Sequence, residues 1–305
     1  MNIIHDDCLH AMASMEPNSI DAIITDPPYG LSIMGKGWDH GAPGVPYWQA
    51  ALRVAKPGAM LLAFGGTRTF HRLACAIEDA GWEIRDCLMW LYGSGFPKSF
   101  NIAKATGDPR WDGWGTALKP AWEPILLAMK PCDGAYAVNA TKHGVAGLNI
   151  DGCRVESGRW PANVILDEEA GALLDQQTGT LTSGRGAVKK KSAAGSQGNA
   201  LGKESRPVGT EIPCYGDSGG ASRFFYCAKA SKKERGEGNH HPTVKPLALM
   251  WYLVRLTKTP TGGVVLDPFA GSGATGLACA AEGRDCLLIE QDAAYCNIIR
   301  HRIAA

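Results

Sequence analysis

Two short stretches carry residues whose types and spacing suit a group-transfer site. The first is Thr25-Asp26-Pro27-Pro28-Tyr29-Gly30. Its two prolines fix φ and remove two N–H donors, so the segment is stiff and its carbonyls point in set directions. A carboxylate precedes them and an aromatic ring follows. Together these groups suit the holding of a planar, amino-bearing ring, by hydrogen bonds to its amine and by stacking on its face. Taken alone, the same residues equally fit a proline turn that caps a strand. The second stretch is Asp267-Pro268-Phe269-Ala270-Gly271-Ser272-Gly273-Ala274-Thr275-Gly276. Gly271, Gly273 and Gly276 fit the spacing G-x-G-x-x-G, and Glu290 follows seventeen residues after Gly273. Glycines let the backbone approach a ligand closely, and an acid at that distance can accept both hydroxyls of a ribose. The pattern points to an adenosine-type cofactor and, by itself, admits both NAD and S-adenosylmethionine.

Strands must place both stretches. The apolar run Ile20–Ile24 predicts a buried strand feeding the first, and Val264-Val265-Leu266 a strand feeding the second. In an open α/β sheet, the loops after such strands form the edge where ligands bind. Further strands are predicted at Met1–Ile4, Ala59–Phe64, Cys87–Tyr92, Ile125–Met129 and Cys286–Ile289. Helices are predicted at Leu9–Met15, Tyr47–Ala55, Phe70–Ala80, Leu247–Thr257, from Leu277, and at Ala293–Ile303. Helix breaks stand at Lys56-Pro57-Gly58, Gly81 and Gly283. Strands alternating with helices imply βαβ units and a parallel sheet.

The whole chain of 305 residues has a formal net charge of +1, which says nothing about partners. Its ten cysteines are scattered without a C-x-x-C pair, so they read as reduced thiols rather than a zinc or redox motif. His240-His241 has no third ligand spaced nearby, and no metal is expected. The first residues lack a basic region and a long apolar stretch, and no run approaches the roughly 18 apolar residues of a membrane span. The expectation is a cytoplasmic protein. From about Cys132 to Gly238 the periodic pattern gives way to glycine, serine and polar residues. Arg159–Leu166 is an island that fits a strand, and 178–220 reads as a stretch that orders on a partner. Between Gln176 and Arg235 eleven Lys/Arg face four Asp/Glu, an excess of seven positive charges. A solvated loop would accommodate that excess; so would contact with phosphates.

The two motifs, with His241-Pro242-Thr243-Val244-Lys245-Pro246 ahead of the second, resemble the β-class amino-methyltransferases of DNA. The resemblance covers nearly the whole chain, with catalytic motif, insertion and cofactor motif in that order. It implies a Rossmann-like α/β fold: a mostly parallel seven-stranded sheet with helices on both faces, Met1–Ile4 lying beside Cys286–Ile289. Three parts follow: a catalytic half (1–131), a target-recognition insertion (132–238) and a cofactor-binding half (239–305). S-adenosylmethionine is the implied cofactor and double-stranded DNA the implied partner, with a homodimer suited to a palindromic site. Asp26, Pro27, Pro28 and Tyr29 match the catalytic loop. Asp267, Phe269, Ala270, Gly271, Ser272 and Gly273 match the loop around the methionine part of the cofactor. Glu290 matches the ribose acid, Thr243 and Lys245 a motif near the methionine carboxylate, and Asp7 and Cys8 a loop beside the adenine. Arg185, Lys189, Lys190, Lys191, Arg206, Lys232 and Lys233 are the expected DNA contacts.

The implied reaction is transfer of a methyl group to the exocyclic amine of a flipped base. Asp rather than Ser in the first catalytic position favours adenine N6 over cytosine N4. An NAD-dependent oxidoreductase would leave Asp-Pro-Pro-Tyr and the basic insertion without a role. A non-catalytic DNA-binding regulator would not need the Asp26 loop. Trp38, Trp111 and Trp114 fit base stacking or packing equally, and Gly93–Pro97 is expected to border the base pocket.

Overall fold

The computed structural model describes residues 1–31, 41–97, 99–155, 158–183, 186–187, 211–212, 215–228 and 244–304. Among them, nine strands form one sheet. In chain order these are β1 (Asn2–His5), β2 (Ile20–Thr25), β3 (Ala55–Phe64), β4 (Glu83–Leu91) and β5 (Trp122–Met129). They continue with β6 (Val164–Asp167), β7 (Tyr226–Ala228), β8 (Val264–Asp267) and β9 (Asp285–Glu290). The spatial order is β1-β9-β8-β2-β3-β5-β4-β6-β7. Every neighbouring pair is parallel except β3–β5 and β5–β4.

Helices α1 (Cys8–Ser14), α2 (Val45–Val54) and α3 (Phe70–Asp79) cover one face, and α7 (Leu247–Leu256), α8 (Ala274–Ala281) and α9 (Ala293–Ala304) the other. Strand periodicity divides the core between these faces. On β3, Met60, Leu62 and Phe64 join the cluster with α7 and α8, while Ala59, Leu61 and Ala63 join α1, α2 and α3. Between these two groups of helices come α4 (Ile102–Thr106), α5 (Tyr136–His143) and α6 (Glu168–Thr178). The mostly parallel sheet with helices on both faces is as expected, and Ile3 of β1 does pair with Leu288 of β9.

Three features differ from the sequence reading. The sheet has nine strands rather than seven, because β6 and β7, both within 132–238, add to its far edge. β5 runs antiparallel to both neighbours, so not all the strand-like segments are parallel. At Lys56-Pro57-Gly58, α2 does end, but the chain passes directly into β3, with Gly58 at φ +80.

The insertion has its own folded part. Leu181–Thr182 pairs with Ser218–Gly219, and Asp175 accepts from both the backbone and the hydroxyl of Ser222. Asp217 holds the guanidinium groups of Arg159 and Arg223. Arg223, one of the eleven basic residues counted above, is therefore paired within the insertion. Among the described residues, all cysteines are free thiols, no helix is long and apolar enough to cross a membrane, and no group of three His, Cys, Asp or Glu stands together as a metal site.

Candidate functional site

Adjacent parallel strands β1, β9, β8 and β2 end at His5, Glu290, Asp267 and Thr25, so four loops converge at one edge of the sheet. A single cavity of about 1780 Å³ opens there. Asp26, Pro27, Pro28 and Tyr29 line it from β2, and Asp267, Phe269, Ala270, Gly271 and Ser272 from β8. Glu290 closes it from β9, with Cys8 and Lys245 also on the wall. The two motifs that are far apart in sequence thus share one cavity.

The glycine turn is shaped by backbone need. Gly271 and Gly273 have φ of +52 and +80, the left-handed region that side chains disfavour. Gly273 is the N-cap of α8 and does not line the cavity. A Cβ on Gly276 would stand 2.6 Å from Leu288, so this glycine lets α8 approach β9 closely. Glu290 is buried, its Oε2 accepting from Gly271 N (2.8 Å) and its Oε1 from Asp292 N (2.8 Å). Burial raises its pKa. Arg302 donates to the carbonyl and hydroxyl of Ser272 and braces the same turn from α9.

Asp267 serves inside the protein. Its Oδ1 accepts from the Thr25 hydroxyl (2.7 Å) and from Phe269 N (3.1 Å), and its Oδ2 from the Thr275 hydroxyl (2.5 Å). It links the glycine turn to the residue preceding Asp26. Burial pushes its pKa up to about 6, against the pull of those hydrogen bonds. The folded carboxyl therefore binds its proton more tightly than the unfolded one, and the stability this lends is lost as pH rises from about 4 to 6. Relative to Asp267→Asn, the wild type is expected to lose about 2 kcal/mol between pH 4.5 and 6.5. Denaturant titrations of both proteins at those two values check this; a pH-independent difference would refute it.

The Asp26 loop meets two charged partners, Lys245 and Glu123. Lys245 Nζ lies 2.7 Å from Asp26 Oδ2, 3.3 Å from Glu123 Oε2 and 3.1 Å from the Tyr29 hydroxyl. Tyr29 Oη is 2.8 Å from Asp26 Oδ1 and 3.0 Å from Glu123 Oε2. The ammonium also sits over the rings of Tyr29 (5.3 Å) and Phe64 (4.9 Å). Burial alone would lower the Lys245 pKa, but the two carboxylates outweigh it and raise it. Burial, together with the same carboxylates, holds the Tyr29 phenol well above its ordinary value.

Several expected residues stand elsewhere than the sequence placed them. The Asp7 carboxylate caps α1, accepting from Leu9 N and His10 N, because the first N–H groups of a helix need an acceptor. The wall beside it is His5, Asp6 and Cys8, and burial pushes the Cys8 thiol up to about 12. Lys245 lines the cavity, and the anions nearest its ammonium are Asp26 and Glu123. Thr243 lies outside the described residues, as do Trp38, His240, His241 and the expected DNA contacts Arg185, Lys189, Lys190, Lys191, Arg206, Lys232 and Lys233.

Glu123 was not anticipated. Because β5 runs antiparallel, its first residues lie at the edge where the parallel strands end. The connection from β4 to β5 also borders the cavity through Tyr92, Phe96 and residues 116–121. It exposes Phe96, Phe100, Trp111, Trp114 and Leu118 to solvent, so Trp111 and Trp114 are loop residues rather than core.

A family model described as DNA methylase matches residues 20–301. Among curated proteins, the type II methyltransferase M.HindIII of Haemophilus influenzae is 25% identical over 352 aligned positions, spanning 99% of this chain and 94% of that one. Among solved structures, the M1.HpyAVI–SAM complex superposes with a TM-score of 0.51 at 19% identity, covering 99% of this chain and 98% of its own. The cytosine-N4-specific PvuII DNA methyltransferase superposes at 0.55 with 15% identity, covering 98% and 85%. The two superpositions establish a shared fold.

Proposed function

The chain belongs to the DNA methylase family, whose cofactor is S-adenosylmethionine, and from that premise we propose that it methylates the N6 amine of adenine in double-stranded DNA. The observation that carries this reading is the single cavity joining the Asp26 loop to Glu290, with room for a cofactor and a base end to end. The division into a catalytic half (1–131), a target-recognition region (132–238) and a cofactor-binding half (239–305) is part of the proposal.

The cavity wall suits that cofactor. Each Glu290 oxygen accepts one backbone N–H and keeps lone pairs for ribose hydroxyls. Phe269 and Tyr295 add apolar and aromatic surface, and Cys8 and Asp6 face the same end. Asp267 contributes by holding the turn, since its oxygens already accept from Thr25, Thr275 and Phe269. Gly271 and Ser272 supply backbone close to the ligand. When bound, S-adenosylmethionine supplies a methyl group activated on a sulfonium.

The residues of this chain do the rest. An aromatic amine is a poor nucleophile because its lone pair is delocalised into the ring. Asp26 and the carbonyl of Pro27 each accept one amine hydrogen, drawing the nitrogen towards tetrahedral geometry with its lone pair free. The two prolines hold those acceptors in place, and such positioning supplies much of the rate. Asp26 takes the departing proton itself or holds it in a hydrogen bond until water removes it, and Tyr29 lies against the base. An adenine inside a duplex is out of reach, so it is flipped out at a cost of a few kcal/mol.

The connection between β4 and β5 borders the cavity through Phe96 and residues 116–121, and its exposed aromatic residues are assigned here to the duplex around the flipped base. Stacking of an aromatic ring on a base is worth about 1–3 kcal/mol. Trp114→Ala is therefore expected to weaken DNA binding about 5- to 150-fold while leaving the affinity for S-adenosylmethionine unchanged. Fluorescence anisotropy with labelled duplex checks it, and undiminished binding would remove this loop from the interface.

Incubation with methyl-labelled S-adenosylmethionine and plasmid DNA, followed by digestion to nucleosides, tests the function. Label in N6-methyldeoxyadenosine supports it. Label in N4-methyldeoxycytidine transfers the reading to cytosine, and no label in DNA overturns both.

A further inference from the structure

Around Asp26 the count of donors and acceptors is informative. Lys245 has three N–H groups and three neighbours: Asp26 Oδ2, Glu123 Oε2 and the Tyr29 hydroxyl. Tyr29 accepts from Lys245 and has one hydrogen left to donate, but two carboxylate oxygens lie within reach, Asp26 Oδ1 at 2.8 Å and Glu123 Oε2 at 3.0 Å. The two acceptors compete for one proton. If Asp26 takes it, both Asp26 oxygens already hold a donor, Tyr29 on Oδ1 and Lys245 on Oδ2. If Glu123 takes it, Oδ1 of Asp26 faces the cavity without a donor from the protein.

We propose that Glu123 is a positioning residue for the transfer: it draws off the Tyr29 hydroxyl hydrogen, leaving Asp26 Oδ1 open to the amine. This rests on the reading of Asp26 as the amine acceptor. Glu123 is suited to the task by its place in the fold. It sits on a sheet strand rather than a loop, paired with Trp90 across β4, and Pro124 beside it accepts from Gly65 N. Its side chain is only 23% exposed, so its carboxylate is held where the two other groups meet. The arrangement places two carboxylates and one ammonium around one hydroxyl, a net charge of −1 that is not cancelled when the base enters. Without Glu123, the ammonium and the hydroxyl both fall to Asp26, and the amine must displace one of them.

Single-turnover transfer to plasmid DNA, with the affinity for S-adenosylmethionine measured calorimetrically on each variant, tests the proposal. Glu123→Ala is expected to slow transfer about 10- to 100-fold and to change the cofactor affinity by less than about threefold. Glu123→Gln keeps an oxygen that accepts the Tyr29 hydrogen and is expected to recover most of the rate. In a Tyr29→Phe background the competition is gone, and adding Glu123→Ala is expected to cost less than about threefold. A residue that merely supported the strand would cost the same in either background. The proposal is overturned if Glu123→Ala transfers at the wild-type rate, if its loss persists undiminished with Tyr29→Phe, or if Glu123→Gln is no better than Glu123→Ala. Failure of the wild type itself to methylate DNA is a different result, and it overturns the parent reading of the function.

Discussion

Asp26→Ala is expected to lower single-turnover methyl transfer about 10²- to 10⁴-fold, the range for loss of a positioned proton acceptor. The affinity for S-adenosylmethionine is expected to stay within about threefold, because the carboxylate we assign to the ribose is Glu290, on another strand. The fold should tolerate the change. Removing Asp26 leaves Lys245 paired with Glu123, so the buried ammonium keeps a counter-charge. The loop itself is held by its prolines and by Thr25, whose hydroxyl bonds Asp267. Asp26→Asn sharpens the result, since it keeps one accepting oxygen but is far less basic. A rate near that of Asp26→Ala makes Asp26 a base; a rate well above it makes Asp26 chiefly a hydrogen-bond acceptor. Loss of cofactor binding in Asp26→Ala would show instead that the two ends of the cavity are wrongly assigned.

Glu290→Ala is expected to raise the dissociation constant for S-adenosylmethionine about 100-fold or more. Hydrogen bonds to a charged group contribute about 1.5–3 kcal/mol each, and a ribose offers two hydroxyls. The same carboxylate fixes Gly271 N and Asp292 N, so the alanine variant also loosens the glycine turn. Isothermal titration gives the affinity, and transfer at saturating cofactor shows whether the chemical step survives. A large loss of rate with unchanged affinity would contradict the placement of the ribose at β9.

The existence of these elements was legible where the pattern was strong. The continuous apolar runs Ile20–Ile24 and Val264–Leu266 are buried parallel strands, and the glycine spacing marked the turn that follows β8. The reversed direction of β5 was not legible. Nothing in Trp122–Met129 says that it runs antiparallel, because the apolar run Ile125–Met129 fits either sense, and Glu123 was overlooked for that reason. Side-chain partners were equally hidden. Asp7 stands one residue before a helix, and that position is itself a capping signal that outweighs contact with a ligand. Lys245 is far from Asp26 in sequence, and only the folded sheet brings its ammonium onto that carboxylate. In the insertion, the polar run Glu168–Thr178 looked like loop, but Asp167 caps it and Glu168 and Glu169 sit in the first turn, so it forms α6. Arg223 counted towards the positive excess of the insertion, but Asp217 binds it together with Arg159.

The central claim is that the Asp26 loop clamps the amine of an adenine taken out of DNA. Its most direct test is nucleoside mass spectrometry of chromosomal DNA from a host lacking adenine-N6 and cytosine-N4 methylation, expressing either the wild type or Asp26→Ala. The account predicts N6-methyldeoxyadenosine with the wild type and none with Asp26→Ala. N4-methyldeoxycytidine in place of N6-methyldeoxyadenosine, or equal methylation with both proteins, would contradict it.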